Sequence, residues 1–329
     1  MGNFTRPLIV SAVVACAAAL AYSVTTSAAD DYPVKPVRVV VGLAAGGSAD
    51  IIARAISQKL TDAFKHPVLV ENRPGASGMI AAELVAKANP DGYTLFEASM
   101  TTHSIGPHIY KNLSFDVIKD FEAVALMVRI PLVMFINASV PATNLKEFVA
   151  LTKTNPGKYN YSSAGPGSPP HLVAELLKLK TGAQVLHVPY KGTGAALPDL
   201  VGGQVQMMVD GPPPFMPYVK SGKLKALAAA SEKRNPLLPE VPTFAEAGVA
   251  GMEAGLWYGI VAPKGTPKPV VAKLNAEINR ALEQPDLRER FAAMAVEIVG
   301  GPPEAFARYM SAEYKRWGEV VRAANIKVE

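Results

Sequence analysis

The chain is poor in the residues that would fix its chemistry in advance. Of its 329 residues one is a cysteine, Cys16, and it falls inside an apolar N-terminal segment. The rest of the chain therefore has no thiolate for metal or covalent catalysis and no disulfide framework. No apolar run beyond that segment is long enough to cross a bilayer. Basic residues exceed acidic ones only by 33 to 28 and are spread along the chain. That mild charge tolerates anionic ligands but lacks the clustered Lys/Arg of a nucleic-acid surface, and no nucleic-acid partner is expected. Low-complexity tracts and short-period repeats are also missing.

Catalytic and cofactor motifs are equally scarce. There is no G-x-G-x-x-G followed by an acidic ribose ligand, and no P-loop lysine follows either glycine-rich loop. A G-x-S-x-G elbow is absent, as is H-E-x-x-H. The five histidines, His66, His103, His108, His171 and His187, are scattered. These absences predict no cofactor, no metal and no enzymatic activity.

What is present begins with the leader "MGNFTRPLIVSAVVACAAALAYSVTTSAADDYP". One positive charge, a short apolar run and small residues at Ser27-Ala28-Ala29 predict a secretory signal over residues 1–29, cleaved after Ala29. Cleavage removes Arg6 and no acid, lowering the formal charge from +5 to +4. "VVAC" resembles a lipid-attachment box, but the residues after Cys16 stay apolar, so a lipoprotein is the weaker reading. About 300 residues remain, enough for two domains, and a thiol-free exported protein suits the bacterial periplasm.

Valine-rich runs alternate with helical patterns from "VRVVVGL" onward. In "SADIIARAISQKLTDAF", Ile52, Ile56, Leu60 and Phe64 recur at four-residue spacing, one face of a helix. Strand, helix, strand, helix, strand through "YTLFEAS" predicts a doubly wound parallel sheet. "FEAVALMVRIPLVMFINASV", broken by Pro131, reads as a strand leaving one sheet and entering another. A second α/β pattern follows, and "KLKALAAAS" and "GLWYGIVAP" read as strands returning to the first sheet. The expected fold is α/β and two-lobed, each lobe a doubly wound, mostly parallel sheet. Lobe 1 is assigned to 30–128 plus 252–329 and lobe 2 to 129–251.

Ligands of open α/β sheets sit at the carboxyl ends of the strands. "AAGGSAD" follows the first strand, where Gly46 and Gly47 leave amides unobstructed at a helix start and Ser48 adds a hydroxyl. Asp50 complements the helix start or turns away from an anion. "YSSAGPGSPPH" repeats the grammar in the second half, with hydroxyls on Ser162, Ser163 and Ser168 and bare amides at Gly165 and Gly167. "SMTTHSIGPH" adds a third strand-end loop, and Asp210 ends a strand before "GPPPF".

Several stretches together resemble a known family: "ENRPGASG", "AKANPDGYTL", "NPGKYNYSSAGPGSPPHL", "HVPYKGTGAALPDLVGGQV", "LPEVPTFAEAG" and "WYGIVAPKGTP". They resemble the periplasmic solute-binding components of tripartite tricarboxylate transporters, the TctC or Bug proteins, from about Tyr32 to Glu329. The resemblance implies a two-lobed, Venus-flytrap-like periplasmic-binding-protein fold. It also implies a carboxylate held between a first loop, Ala44, Ala45, Gly46, Gly47, Ser48 and Asp50, and a second loop, Ser162, Ser163, Ala164, Gly165, Gly167 and Ser168. Thr102, His103 and Asp210 match further family positions. The family commonly has proline before and after its glycine pair, where this chain has Ala45 and Ser48. The implied partners are a small organic acid (mono-, di- or tricarboxylate) and membrane permease subunits, with the protein a monomer. Two alternatives stand beside this reading: a receptor feeding a sensor kinase, and an exported hydrolase using Ser163 or Ser168 with His103 or His171.

Overall fold

The computed structural model describes residues 32–327; the expected leader, its cleavage site and Cys16 lie outside them. Val37–Val41 (β1) is a run of β-branched residues, and Val39, Val40 and Val41 are buried. Such a run suits a strand covered on both faces. Val68–Asn72 (β2) and Thr94–Ser99 (β3) flank it in parallel. Gly255–Pro263 (β10) then runs antiparallel between β3 and Phe121–Pro131 (β4), and Glu297–Ile298 (β11) closes the edge. The order is β11-β4-β10-β3-β1-β2. Thus β1 to β4 share one direction, and β10 and β11 oppose them.

Helix α1, Ser48–Phe64, presses Ile52, Ile56 and Leu60 onto this sheet. Lys65 ends it in a left-handed conformation, φ +59°. Met79–Ala86 (α2) follows β2, and a π-helical turn over Met100–Ile105 leads into the single turn Gly106–Ile109 (α3).

Val133–Asn137 (β5) is wholly buried and separated from β4 by Leu132 alone. Pro131 lacks the amide needed to continue the ladder, so the chain changes sheets here as expected. The second sheet has the order β7-β6-β8-β5-β9, from Asn160–Ser163 (β6), Leu186–Pro189 (β7), Met207–Asp210 (β8) and Leu224–Ala229 (β9). Its helices are Leu145–Thr154 (α4), Pro169–Thr181 (α5), Thr193–Gly202 (α6) and the short Met216–Lys220 (α7). The Asn144 side chain caps α4 by accepting the Glu147 amide at 2.9 Å.

One strand differs from expectation. "KLKALAAAS" forms β9 and stays in the second sheet, antiparallel to β5; β10 is the strand that returns. Lys268–Leu282 (α8), Pro285–Ala293 (α9) and Pro303–Ala323 (α10) close the chain. The crossings are laced together: Leu132 N–H donates to Ala254 O at 3.2 Å, Ala254 N–H to Ala230 O at 2.8 Å, and Ala230 N–H to Leu132 O at 2.7 Å. All three residues are buried. A continuous apolar cluster runs through this seam, from Phe96 and Trp257 to Leu172 and Trp317 of α10.

Candidate functional site

The first loop stays open. Gly47 caps α1 with an extended backbone and no side chain, and Gly46 takes φ +81°, a conformation glycine adopts without strain. The opening amides of α1 have no intrahelical acceptor and carry the positive end of the dipole. Ala44, Ala45, Gly46 and Gly47 are all exposed. A Cβ built on Gly47 meets nothing nearer than Ala44 O at 3.5 Å, so the space beside these amides is bare.

Asp50 faces inward. Its carboxylate accepts the Gly46 amide at 3.0 Å and pairs with Arg54 Nε at 2.9 Å. Burial pushes its pKa up, but the bonds from Arg54 and Gly46 prevail and hold it below the ordinary carboxylate value. Asp50 is thus a brace for the loop, turned from a guest, and it engages the Gly46 amide. Ser48 Oγ lies 2.7 Å from Tyr258 OH.

Tyr258 joins the first loop without any motif in the sequence to mark it. The antiparallel return of β10 sets it opposite Ser99 at the end of β3. No local signal in "GLWYGIV" fixes that register. The "PGASG" stretch forms a tight turn. Gly75, Ala76, Ser77 and Gly78 all have positive φ (145°, 45°, 53° and 88°), and two of the four carry a Cβ. Such strain persists only where surroundings enforce it. Gly78 lies against the backbone of Gly42, and a Cβ on it would come within 2.5 Å of Thr102 Cγ2. The turn therefore packs against the chain just past the end of β1, ahead of the first loop.

Thr102 and His103 are both buried. Ser99 and Thr102 form a reciprocal cap, with the Ser99 amide donating to Thr102 Oγ1 at 3.0 Å and the Thr102 amide to Ser99 Oγ at 3.2 Å. Thr102 Oγ1 also sits 3.0 Å from His103 Nδ1. The fully buried His103 ring packs among Phe96, Phe121 and Trp257. Burial lowers its pKa to about 3, so it is neutral. Apolar packing draws the imidazole inward, and both candidate side chains are buried and engaged within their own loop.

The second loop is sealed by its own side chains. Ser162 and Ser163 are wholly buried, and Ser162 Oγ points to Met207 O at 3.5 Å. Ser163 Oγ accepts the Gly165 amide at 3.1 Å and lies 2.7 Å from His187 Nε2. The Gly167 amide donates to His171 Nδ1 at 3.0 Å, and both the amide and the hydroxyl of Ser168 donate to Gly165 O. Ala164 O accepts the Gly192 amide. The amides of Gly165, Gly167 and Ser168, expected to face a ligand, are thus engaged internally. His171, His187 and Tyr161 stack beneath the loop, the two imidazoles 3.9 Å apart.

Beside this loop, β8 ends at Asp210, buried, with Oδ2 accepting from Thr193 Oγ1 at 2.5 Å and Oδ1 from the Gly211 amide at 2.7 Å. Burial raises its pKa to about 6 despite those two bonds. Gly192 and Gly194 at the start of α6 leave open space where a Cβ would stand. The seam joins the lobes here: a Cβ on Gly211 would lie 3.5 Å from Ile130 of β4. The Tyr258 pKa is raised by burial, against the Ser48 hydrogen bond, and further by the Glu97 and Asp210 carboxyls.

The serine–histidine arrangement does not serve hydrolysis. Ser163 pairs with His187 rather than His103 or His171, and it is closed off from any substrate. Surface cavities of about 380 and 250 Å³, beside β9 and beneath the 107–117 loop, do not border these loops.

Two α/β lobes joined through laced crossings, with a helix N-terminus open at their seam, define a two-lobed solute-binding protein. The model of the tripartite tricarboxylate transporter family receptor, TctC, matches residues 52–326. Protein BugT of Bordetella pertussis is 35% identical over 328 residues, covering 99% of this chain and 100% of BugT. Among solved structures, an R. palustris protein with adipate is 33% identical with a TM-score of 0.80, covering 90% of this chain and 100% of that one. MatC from Rhodopseudomonas palustris with bound malate is 37% identical with a TM-score of 0.76, covering 88% and 100%. The chain belongs to the TctC receptor family, whose members are periplasmic solute-binding receptors rather than enzymes.

Proposed function

We propose that the protein is a monomeric periplasmic receptor that holds a small organic carboxylate and delivers it to the permease subunits of a tripartite transporter. The observation that carries this reading is the exposed N-terminus of α1 at the interlobe seam, with bare space beside Gly47. A guest carboxylate accepts from the first amides of α1, where the helix dipole favours negative charge. Ser48, held by Tyr258, adds a hydroxyl. Lobe 2, assigned to 129–251, presents the Ala164–Ser168 rim, Thr193 and Asp210 opposite. Closure of the lobes about Leu132, Ala230 and Ala254 excludes water and strengthens each hydrogen bond. The adipate and malate held by two relatives support a carboxylate as the guest class.

Calorimetry on ligand-free protein with mono-, di- and tricarboxylates, adipate and malate included, tests the reading. At least one acid is expected to bind with Kd of about 10 μM or tighter. Absence of binding across the panel by folded protein overturns it.

A further inference from the structure

A carboxyl outside both glycine-serine loops lies under the open helix terminus. Glu97 on β3 is in register with Val41, the last residue of β1, and with Ile260 on β10. Strand alternation places Tyr258, two residues before Ile260, on the same face and diagonal to Glu97. Val41, Ile260 and Tyr258 share the core beneath α1 with Ala49 and Ile52. Glu97 is therefore aimed at the underside of the first turn of α1, where Ser48 meets Tyr258. It is 2% exposed, and its Oε1 has no hydrogen-bond partner.

The ionisable groups around it do not neutralise it. Asp50 on α1 is an acid and is occupied by Arg54, whose Nη2 also donates to Asn72 Oδ1 at 2.9 Å. Tyr258 on β10 is a phenol with raised proton affinity, and Asp210 across the seam is another buried acid. Burial, and then the Asp50 carboxylate, raise the Glu97 pKa well above the ordinary value. A buried carboxyl without a partner is unfavourable in a core and becomes favourable once a complementary group arrives.

We infer that Glu97 is a specificity-determining group that receives an ammonium on the guest, so the preferred ligand is a carboxylate that also bears a positively charged amino group. This rests on the carboxylate-receptor reading above and narrows its ligand class. The guest carboxylate meets the α1 amides while its ammonium descends toward Glu97 and Tyr258. Burial favours the protonated form of Glu97 before binding; an arriving ammonium favours the ionised form, and the proton then leaves to solvent. An acid without the amine would find Glu97 either neutral and unpaired or ionised and repulsive.

The test uses ligand-free protein and matched probes that differ only in the amino group: succinate with aspartate, glutarate with glutamate, and adipate with 2-aminoadipate. The amino-bearing member of the pair that fits is expected to bind about tenfold or more tightly. Its calorimetric enthalpy should vary with buffer ionisation enthalpy, reporting release of about one proton. Glu97→Gln should erase both the preference and the proton release, bringing the two members of each pair to similar affinity. If that variant fails to fold, the proton release in unsubstituted protein decides. Tighter binding of amine-free acids, no proton release, or a preference that survives in Glu97→Gln overturns the inference and leaves the receptor reading standing. No binding by any probe or by the wider acid panel removes both.

Discussion

The two glycine-serine loops share one grammar and have opposite fates. In the 44–50 loop residues 44–47 are exposed, and one side chain, Asp50, takes one amide, that of Gly46. In the 162–168 loop, Ser163, His171 and the carbonyl of Gly165 absorb the amides of Gly165, Gly167 and Ser168. A strand-end glycine loop thus becomes a candidate anion cradle only when nearby side chains do not reach its donors first. The open loop has alanines and glycines around its amides; the closed one has two histidines packed beneath it.

The largest expected effect strikes the open loop. Gly47→Val fills the bare space beside the α1 amides, its Cβ reaching only ordinary contact with Ala44 O at 3.5 Å. Carboxylate affinity should fall about 100-fold, the loss of one to two charge-assisted hydrogen bonds. Titration calorimetry beside an unchanged thermal melt checks this, and unaltered affinity would show that the open loop is not the grip. The closed loop should respond in stability instead. Ser163→Ala leaves the Gly165 amide and His187 Nε2 unpaired in the interior, a loss of about 2 kcal/mol readable by urea unfolding.

Acid should separate the loops further. Burial depresses the pKa of His171, and that of His187 to about 4. Only neutral His171 can accept the Gly167 amide through Nδ1. Because the folded values lie below the unfolded 6.5, the stabilisation is complete above pH 6.5 and is lost as pH falls toward the folded values. Hydrogen-exchange protection of the Gly167 amide should drop about tenfold from pH 7 to pH 5, while the exposed Ala44, Ala45 and Gly47 amides keep their low protection. The smallest effect is expected at Gly46, where alanine would have to adopt φ +81°; Gly46→Ala should cost about 1 kcal/mol in thermal stability.

Local pattern made the β1–α1 unit readable: a buried valine run, paired glycines and a four-residue apolar spacing each act within a few residues. The change of sheet at Pro131 was readable for the same reason, since a missing amide is a property of one residue. The partner of β9 was not. Its alanine-rich sequence fits either sheet, and hydrogen bonds to β5, distant in sequence, made the choice. His103 follows the same logic, because its direction was set by Phe96, Phe121 and Trp257 from three different strands or their ends.

By itself, then, the amino-acid order determined the run of elements, the two-lobed α/β plan and the strand-end positions of both loops, because periodicity, proline and glycine act locally. Tertiary structure alone decided which donors remain available. It brought His171 and His187 under one loop, Tyr258 beside Ser48 in the other, and the Glu97 carboxyl beneath the first turn of α1. A hydrogen bond is satisfied by whichever group arrives within reach, and arrival is settled by packing across the whole chain.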